Sequence, residues 1–175
     1  MATFEDVKRL ISTQTAQIRE RVPQIIAETA TEYFKQRFTD KEWEGEPWPE
    51  TKRPNPRGSL MIRSGALVST IRPSLVTASE VRISAGGPRV PYAQIHNEGG
   101  IINHPGGTPW TMIKEGDVLQ PVWVSKKRTQ QTGRKYPVTK PHPIPMPKRQ
   151  FMGDSARLND LMIERINNYI NSLNT

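Results

Sequence analysis

In the first part of the chain, apolar residues fall at Phe4, Val7, Leu10, Ile11, Ile18, Val22, Ile25, Ile26, Tyr33, Phe34 and Phe38. That spacing follows one face of an α-helix. Thr3 is placed to cap the helix, and Asp6 lies in its first turn, where a negative charge suits the dipole. Pro23 falls inside the stripe. A proline removes one helix hydrogen bond and crowds the preceding turn, which predicts a kink or a brief break. The stripe keeps its phase across Pro23, so one long kinked helix is expected rather than two. The stripe itself is read as core contact.

The period then disappears. Residues 40–59 include "EWEGEPWPETKRPNPRG", with four prolines, two glycines, Trp43 and Trp48. This composition predicts a loop without helix or ladder. A tryptophan is costly to leave in water, so at least one should pin the loop to the body or to a neighbouring subunit. In "SGALVSTI", Ser64 can cap a short helical turn. Arg72–Val76 and Glu80–Ala85 read as strands joined by "TASE", with Val81 and Ile83 alternating against Arg82 and Ser84. Pro73 places the first of them at an edge. Tyr92, Ala93, Ile95 and His96 have the spacing of a short helix, and Gly99 can supply the left-handed residue that ends it. "IINHPGGTPWTMI" and "DVLQPVWVS" read as two further strands with "KEGD" as their turn. Residues 126–147 show little sign of regular structure, although "PHPIPMP" should be extended. Asp154 is placed to cap a last helix, whose inner face carries Leu158, Leu161, Met162, Arg165, Ile166, Tyr169 and Ile170. Strands in the middle and helices at both ends predict an α+β fold: a small, mostly antiparallel sheet packed by a long kinked N-terminal helix and a C-terminal helix, with long Pro-rich loops.

Composition narrows the function. At 175 residues the chain fits a single domain, 1–175, and its 34% hydrophobic content and 16 prolines predict a modest core. The absence of cysteine excludes disulfides, thiolate metal sites and a cysteine nucleophile, and fits an intracellular origin. The opening "MATFEDVKRL" is charged and does not read as a signal peptide. No run approaches the roughly 18 apolar residues of a membrane span, so a soluble protein with no membrane partner is expected.

The net charge of +8 is localised. Eight basic residues and no acid lie in the extended segment 126–149: Lys126, Lys127, Arg128, Arg134, Lys135, Lys140, Lys148 and Arg149. Of 25 Lys and Arg in the chain this leaves 17, matching the 17 Asp and Glu, so the rest of the chain is neutral. An acid-free basic run is the electrostatic footprint of phosphate contact. Sequence-reading proteins place such charges on a helix or interleave them with stacking aromatics, whereas this run offers only Tyr136. It would touch a nucleic-acid backbone without reading sequence, through Lys126, Lys127, Arg128, Arg134 and Lys135, or meet an acidic partner. Its polar composition cannot offset the roughly 1–2 kcal/mol per residue that ordering costs, so the segment 126–140 should order only on assembly.

Catalytic chemistry finds little support. "PYAQIHNEGG" sets His96 two residues before Glu98, which diverge on a helix. The other histidines, His104 and His142, each adjoin a proline. The H-x-E pair opens the zinc deaminase signature, but the cysteines of its second half are absent, and no HExxH occurs. Ser64 before Gly65 is not a nucleophile elbow. The glycine pairs 86–87, 99–100 and 106–107 continue as neither GxGxxG nor GxxxxGK and read as turns. No cofactor, metal or catalytic residue is expected. A hydrolase built on His96 and Glu98 is the weakest reading.

The order of the motifs is more specific than any one of them. A long helix ending in Phe38 is followed by "WPETKR" with Trp48, "LMIRSGALVSTI", "EVRISAG", "PYAQIHNEGG", and "IPMPKRQFMGDS" before a last helix. This resembles the virion morphogenesis proteins of tailed bacteriophages, which include tail completion and tail-terminator-like neck proteins. Typical members run W-x-P, T-G-x-L-x-x-S-I, Y-A-x-I-H-x-x-G-G and I-P-A-R-x-F-L-G. Ser64, Gly65 and Leu67 match the second motif; Tyr92, Ala93, His96, Gly99 and Gly100 match the third; Arg149, Phe151 and Gly153 match the fourth. Two extra residues precede Arg149, and Thr70 stands where Ser is usual. The resemblance implies a structural virion protein made in the host cytoplasm: a homo-oligomeric ring at the head–tail junction, contacting tail tube and neck or connector proteins, with DNA passing its channel. It also implies that His96 is a structural residue. Tyr92 and Ile95 would then anchor a helix, His96 would bond a backbone carbonyl, and Phe151 would dock on the core. A basic, non-sequence-specific nucleic-acid-binding domain is the alternative.

Overall fold

The computed structural model describes residues 3–51, 58–115, 118–124 and 137–173. The basic residues Lys126, Lys127, Arg128, Arg134 and Lys135, and with them residues 126–136 of the segment 126–140 expected to order only on assembly, lie outside the described residues. In the rest of that segment Pro137 O accepts from Trp110 N at 3.0 Å and Thr139 N donates to Thr108 O at 3.1 Å, so residues 137–139 are already tied down in the single chain. The chain divides into two compact units, Met1–Gly99 with Pro147–Thr175, and Gly100–Met146.

The first unit is built on α1 (Phe4–Asp40), 37 residues long. Thr3 caps it reciprocally: its Oγ1 accepts from the Asp6 N–H and its own N–H donates to the Asp6 carboxylate. The helix runs through Pro23 without a break. Pro23 is itself buried, as are Ile25, Ala27, Thr29, Ala30, Tyr33, Phe34 and Phe38 after it. Tertiary packing of this kind outweighs the ~3 kcal/mol an internal proline costs. The helix stops at Lys41, whose left-handed backbone lets its N–H reach Arg37 O at 2.7 Å.

Residues 40–59 are not wholly irregular, as the sequence suggested. β1 (Glu42–Trp43) pairs with β2 (Glu46–Pro47) across Glu44 and Gly45, both at positive φ (50° and 85°). Two such residues match the twist of flanking strands, so even a two-residue ladder closes. Both tryptophans face the body. Trp43 stacks on Phe34 with ring centroids 6.3 Å apart, and buried Trp48 meets Phe38 edge-on at 5.4 Å.

α2 (Ala66–Ser69) is a single turn whose cap residue is Gly65, at φ 75°. Ser64 is not its cap residue; its Oγ lies 3.4 Å from Ala66 N, at the limit of a hydrogen bond. β3 (Arg72–Val76) and β4 (Val81–Ser84) form an antiparallel hairpin with a register shift between Pro73 and Leu75, and it packs on α1. α3 (Ala93–Glu98) ends at Gly99, φ 73°, whose N–H bonds Ile95 O at 2.9 Å.

In the second unit, β5 (Gly100–His104) pairs with β8 (His142–Met146), and β6 (Trp110–Glu115) pairs with β7 (Val118–Trp123). Residues 142–146, expected to be extended, form a strand, and what the sequence did not show is their pairing with β5. Pro143 and Pro145 alternate along it. Their missing N–H groups point to one edge, so the ladder on the other edge is intact.

The last helix, α4 (Ala156–Ser172), is capped by Ser155 rather than Asp154: Ser155 Oγ accepts from Leu158 N at 3.1 Å. α4 runs antiparallel to α1, with Arg165 Nη1 2.8 Å from Glu32, Tyr169 Oη donating to Gln17 O at 3.4 Å, and Gln14 Nε2 donating to Leu173 O at 3.2 Å. Its cover ends there. The first turns of α1 are consequently not core, contrary to the reading of the whole stripe: Phe4 is 77% exposed, Leu10 57% and Ile11 59%.

The fold is α+β, as the sequence predicts. The strands among the described residues form four two-stranded antiparallel ladders rather than one sheet. Each ladder contains a strand carrying proline (Pro47, Pro73, Pro121, or Pro143 with Pro145). Proline cannot serve in a central strand, so the ladders cannot widen through these strands.

Candidate functional site

Residues 149–153, "RQFMG", are the hub of the first unit. Phe151 is buried against Phe38, ring centroids 5.0 Å apart. Its segment is held from both sides. From α3, Asn97 Oδ1 accepts from Phe151 N (2.9 Å) and Met152 N (3.0 Å), while Asn97 Nδ2 donates to Met152 O (3.1 Å). From the tryptophan loop, Trp48 Nε1 donates to Gln150 O at 2.8 Å. Arg149 Nε and Nη2 donate to Pro49 O (2.8 Å) and Glu50 O (3.2 Å). Gly99 closes the arrangement: a Cβ there would lie 2.9 Å from Lys148 N, so α3 can approach this segment only with glycine at its end.

Beside the hub opens a cleft of about 290 Å³. Leu60, Met61 and Ile62 supply an apolar wall, with Leu67 of α2 buried behind them. Met61 holds a left-handed backbone, φ 65°, which is uncommon for a residue with a side chain. Arg63, His96 and Arg149 supply its charged and titratable groups, and among the described residues no Asp or Glu lines the cleft. Arg149 is 5% exposed, and burial lowers the pKa of its guanidinium from the ordinary value. Its hydrogen-bond partners are neutral carbonyls, and among the described residues no carboxylate pairs with it.

His96 meets Tyr92 edge-on at 5.6 Å. The expected hydrogen bond from the His96 ring to a carbonyl is not made at Nδ1, which is buried and without a partner among the described residues. The main chain takes that role instead: Arg149 N donates to His96 O at 2.9 Å. Burial, and then the nearby Arg149 charge, push the imidazole pKa below its ordinary value, which favours the neutral ring.

Most of the residues singled out in the sequence thus converge here. Ser64, Gly65, Leu67, Tyr92, His96 and Arg149 line the cleft. Trp48, Ala93 and Phe151 are buried beneath it in one core cluster. Ala93, not Tyr92, is the buried residue of α3; Tyr92 stays 40% exposed. Gly153 ends the hub with φ 155°. Gly100 opens β5 in the second unit. Asn97 and the buried Arg37, which is paired with Asp40 at 2.8 Å, escaped the sequence reading. Nothing local distinguishes an Asn that clamps a distant strand from one that faces solvent.

In the second unit His104 and His142 face each other across the β5–β8 ladder, rings 5.1 Å apart. His104 Nδ1 accepts from Gly106 N at 2.9 Å, and His142 Nδ1 lies 2.8 Å from Lys140 O. Among the described residues no group of three or more His, Cys, Asp or Glu could hold a metal ion, and no helix is long and apolar enough to cross a membrane.

No curated protein and no solved structure matches the chain. Comparison with protein families gives a match over residues 3–171, nearly the whole chain and all the motifs that meet at the cleft, to the phage virion morphogenesis family. The chain belongs to this family, and its role lies in the structure or assembly of a phage virion.

Proposed function

We propose that this protein forms a homo-oligomeric ring at the head–tail junction, where it completes the tail and joins it to the neck. Family membership supplies the setting. The observation that carries the reading is the uncovered apolar face of α1. Phe4, Val7, Leu10 and Ile11 recur at helical spacing, are 45–77% exposed, and continue in phase the stripe that is buried from Pro23 onward. A contiguous apolar face on a phage structural protein is the mark of a surface that another subunit covers. The protein's partners in this reading are copies of itself, the tail tube and the neck or connector proteins, with DNA in the channel. The role is structural and has no catalytic step.

Light scattering of the purified chain, alone and with tail tubes, tests the ring. Self-association in either condition is expected. A strict monomer that also fails to bind tubes overturns the proposal. The basic segment favours contact with DNA or with an acidic neighbour as a second property of the same ring. Arg149 does not contribute to it, because that charge is buried in the first unit.

A further inference from the structure

Two features of the first unit are unfinished, and they are complementary. Among the described residues, the cleft holds a buried Arg149 without a carboxylate, a His96 Nδ1 without a partner, an exposed Arg63 and an apolar wall. A buried charge without an opposite charge and a buried polar atom without a hydrogen-bond partner are both costly. Residues 52–57, which follow Thr51 at the cleft's edge, are "KRPNPR" and contain no acid to supply the missing charge. The start of α1 has the opposite character. Phe4 is 77% exposed, and next to it the Glu5 side chain is 78% exposed with only a solvent-screened contact to Lys8 at 3.6 Å.

We propose that the first turns of α1 of one copy seat in the Arg149–His96 cleft of the next copy, with Phe4 on the Leu60–Ile62 wall and the Glu5 carboxylate toward Arg63, His96 Nδ1 and Arg149. A chain cannot satisfy its own cleft. Arg149 is two residues from Phe151, which packs on Phe38 at the far end of α1. Phe4 and Phe38 are separated by about 50 Å of helix at 1.5 Å per residue. That helix continues unbroken through Pro23, and α4 and the β3–β4 hairpin pack along part of it. Tip and cleft therefore lie at opposite ends of one unit, so their contact is head-to-tail, the geometry that closes a ring or extends a filament. Asp6 stays in its capping box with Thr3, which leaves Glu5 as the acid free to pair.

The proposal rests on self-association of the chain but is tested separately from the ring. The sequence has no cysteine, so introduced pairs are unambiguous. Full chain carrying Lys8→Cys, one turn from Phe4 and exposed, is mixed with full chain carrying Ser64→Cys, a nearly isosteric change at an exposed residue of the cleft, and oxidised gently. The control pairs Lys8→Cys with Ile163→Cys, on the exposed face of α4. Circular dichroism confirms that each variant is folded. The mixed disulfide should exceed the control about tenfold, equivalent to ~1.4 kcal/mol. It should fall when Arg63→Glu is added to the cleft chain and recover when Glu5→Arg is added to the tip chain. A yield no higher than the control, or one indifferent to Arg63→Glu, overturns the proposal. A ring seen by scattering without this cross-link leaves the ring and removes the contact. A cross-link in a chain that scattering finds monomeric on tubes does the reverse.

Discussion

Replacing Asn97 by alanine should destabilise the isolated subunit by about 3 kcal/mol. The side chain satisfies three main-chain groups of the hub at once: Phe151 N, Met152 N and Met152 O, at 2.9, 3.0 and 3.1 Å. Each is part-buried, and an orphaned buried group costs about 1–3 kcal/mol. Water can reach a part-buried group, so the low end of that range applies to each of the three. For a chain of this length, ~1 kcal/mol shifts the melting temperature by about 2–4 °C, which gives a fall of roughly 6–12 °C. Urea titration followed by tryptophan fluorescence is the suitable assay. Trp48 donates to Gln150 O in the same segment, so loosening of the hub should also shift its emission to the red before global unfolding. Asn97→Asp keeps the acceptor and loses the donor, and should cost less than alanine. An alanine variant within about 0.5 kcal/mol of wild type, the range of an ordinary surface change, would refute the account of the hub.

Two further outcomes follow from the site and the charge distribution. His96 has a depressed pKa in the fold, so the unfolded chain takes up the proton first as pH falls; stability from this group is fully present above about 6.5 and declines below it. Urea midpoints measured between about pH 7 and 5.5 should therefore drop more for wild type than for His96→Gln, and parallel drops would sink the assignment. Replacing Lys126, Lys127, Arg128, Arg134 and Lys135 together by Gln should leave the melting temperature nearly unchanged, because the remainder of the chain is close to neutral. The same variant should reduce DNA retention or head–tail joining in phage complementation, and full titre would mean the cluster is only solvated.

Legibility in the sequence tracked the range of the interaction. The Thr3–Asp6 capping box is complete within three residues, and the long helix and the β3–β4 hairpin are fixed by their own periodicity. What stayed hidden depends on distant partners. Proline-rich 142–146 reads as extended but not as paired until β5 is placed beside it, because only then does the alternation of Pro143 and Pro145 show an intact hydrogen-bonding edge. The apolar stripe of α1 says which face is sticky but not how far α4 reaches along it. Arg149 entered the basic cluster as one charge among eight, although its guanidinium is spent on the carbonyls of Pro49 and Glu50, about a hundred residues away. A count of charges carries no information on burial. The motif residues were easier to find than their roles: His96 reads as a side chain seeking a carbonyl, while the fold uses its carbonyl and leaves the ring nitrogen unpaired.

The energetics of the tip bear on when a ring would form. Phe4, Val7, Leu10 and Ile11 are 45–77% exposed. Full burial of such side chains contributes about 1.5–3 kcal/mol each, so the surface still open on the four amounts to roughly 4–7 kcal/mol. The charge pair adds a little, offset by desolvation. Association of two free subunits costs about 4–15 kcal/mol in lost translation and rotation. A single tip–cleft contact is therefore at best a few kcal/mol favourable and over most of that range unfavourable, so a dilute subunit should remain largely monomeric. Closing a ring changes the sum, because the last contact forms within an already assembled chain of subunits and carries no second association cost. In the proposed reading, a tail tube presenting several equivalent positions would have the same effect, since it would hold neighbouring subunits at high local concentration. In the proposed ring, contacts of this marginal size would hold assembly back until subunits meet on the completed tail.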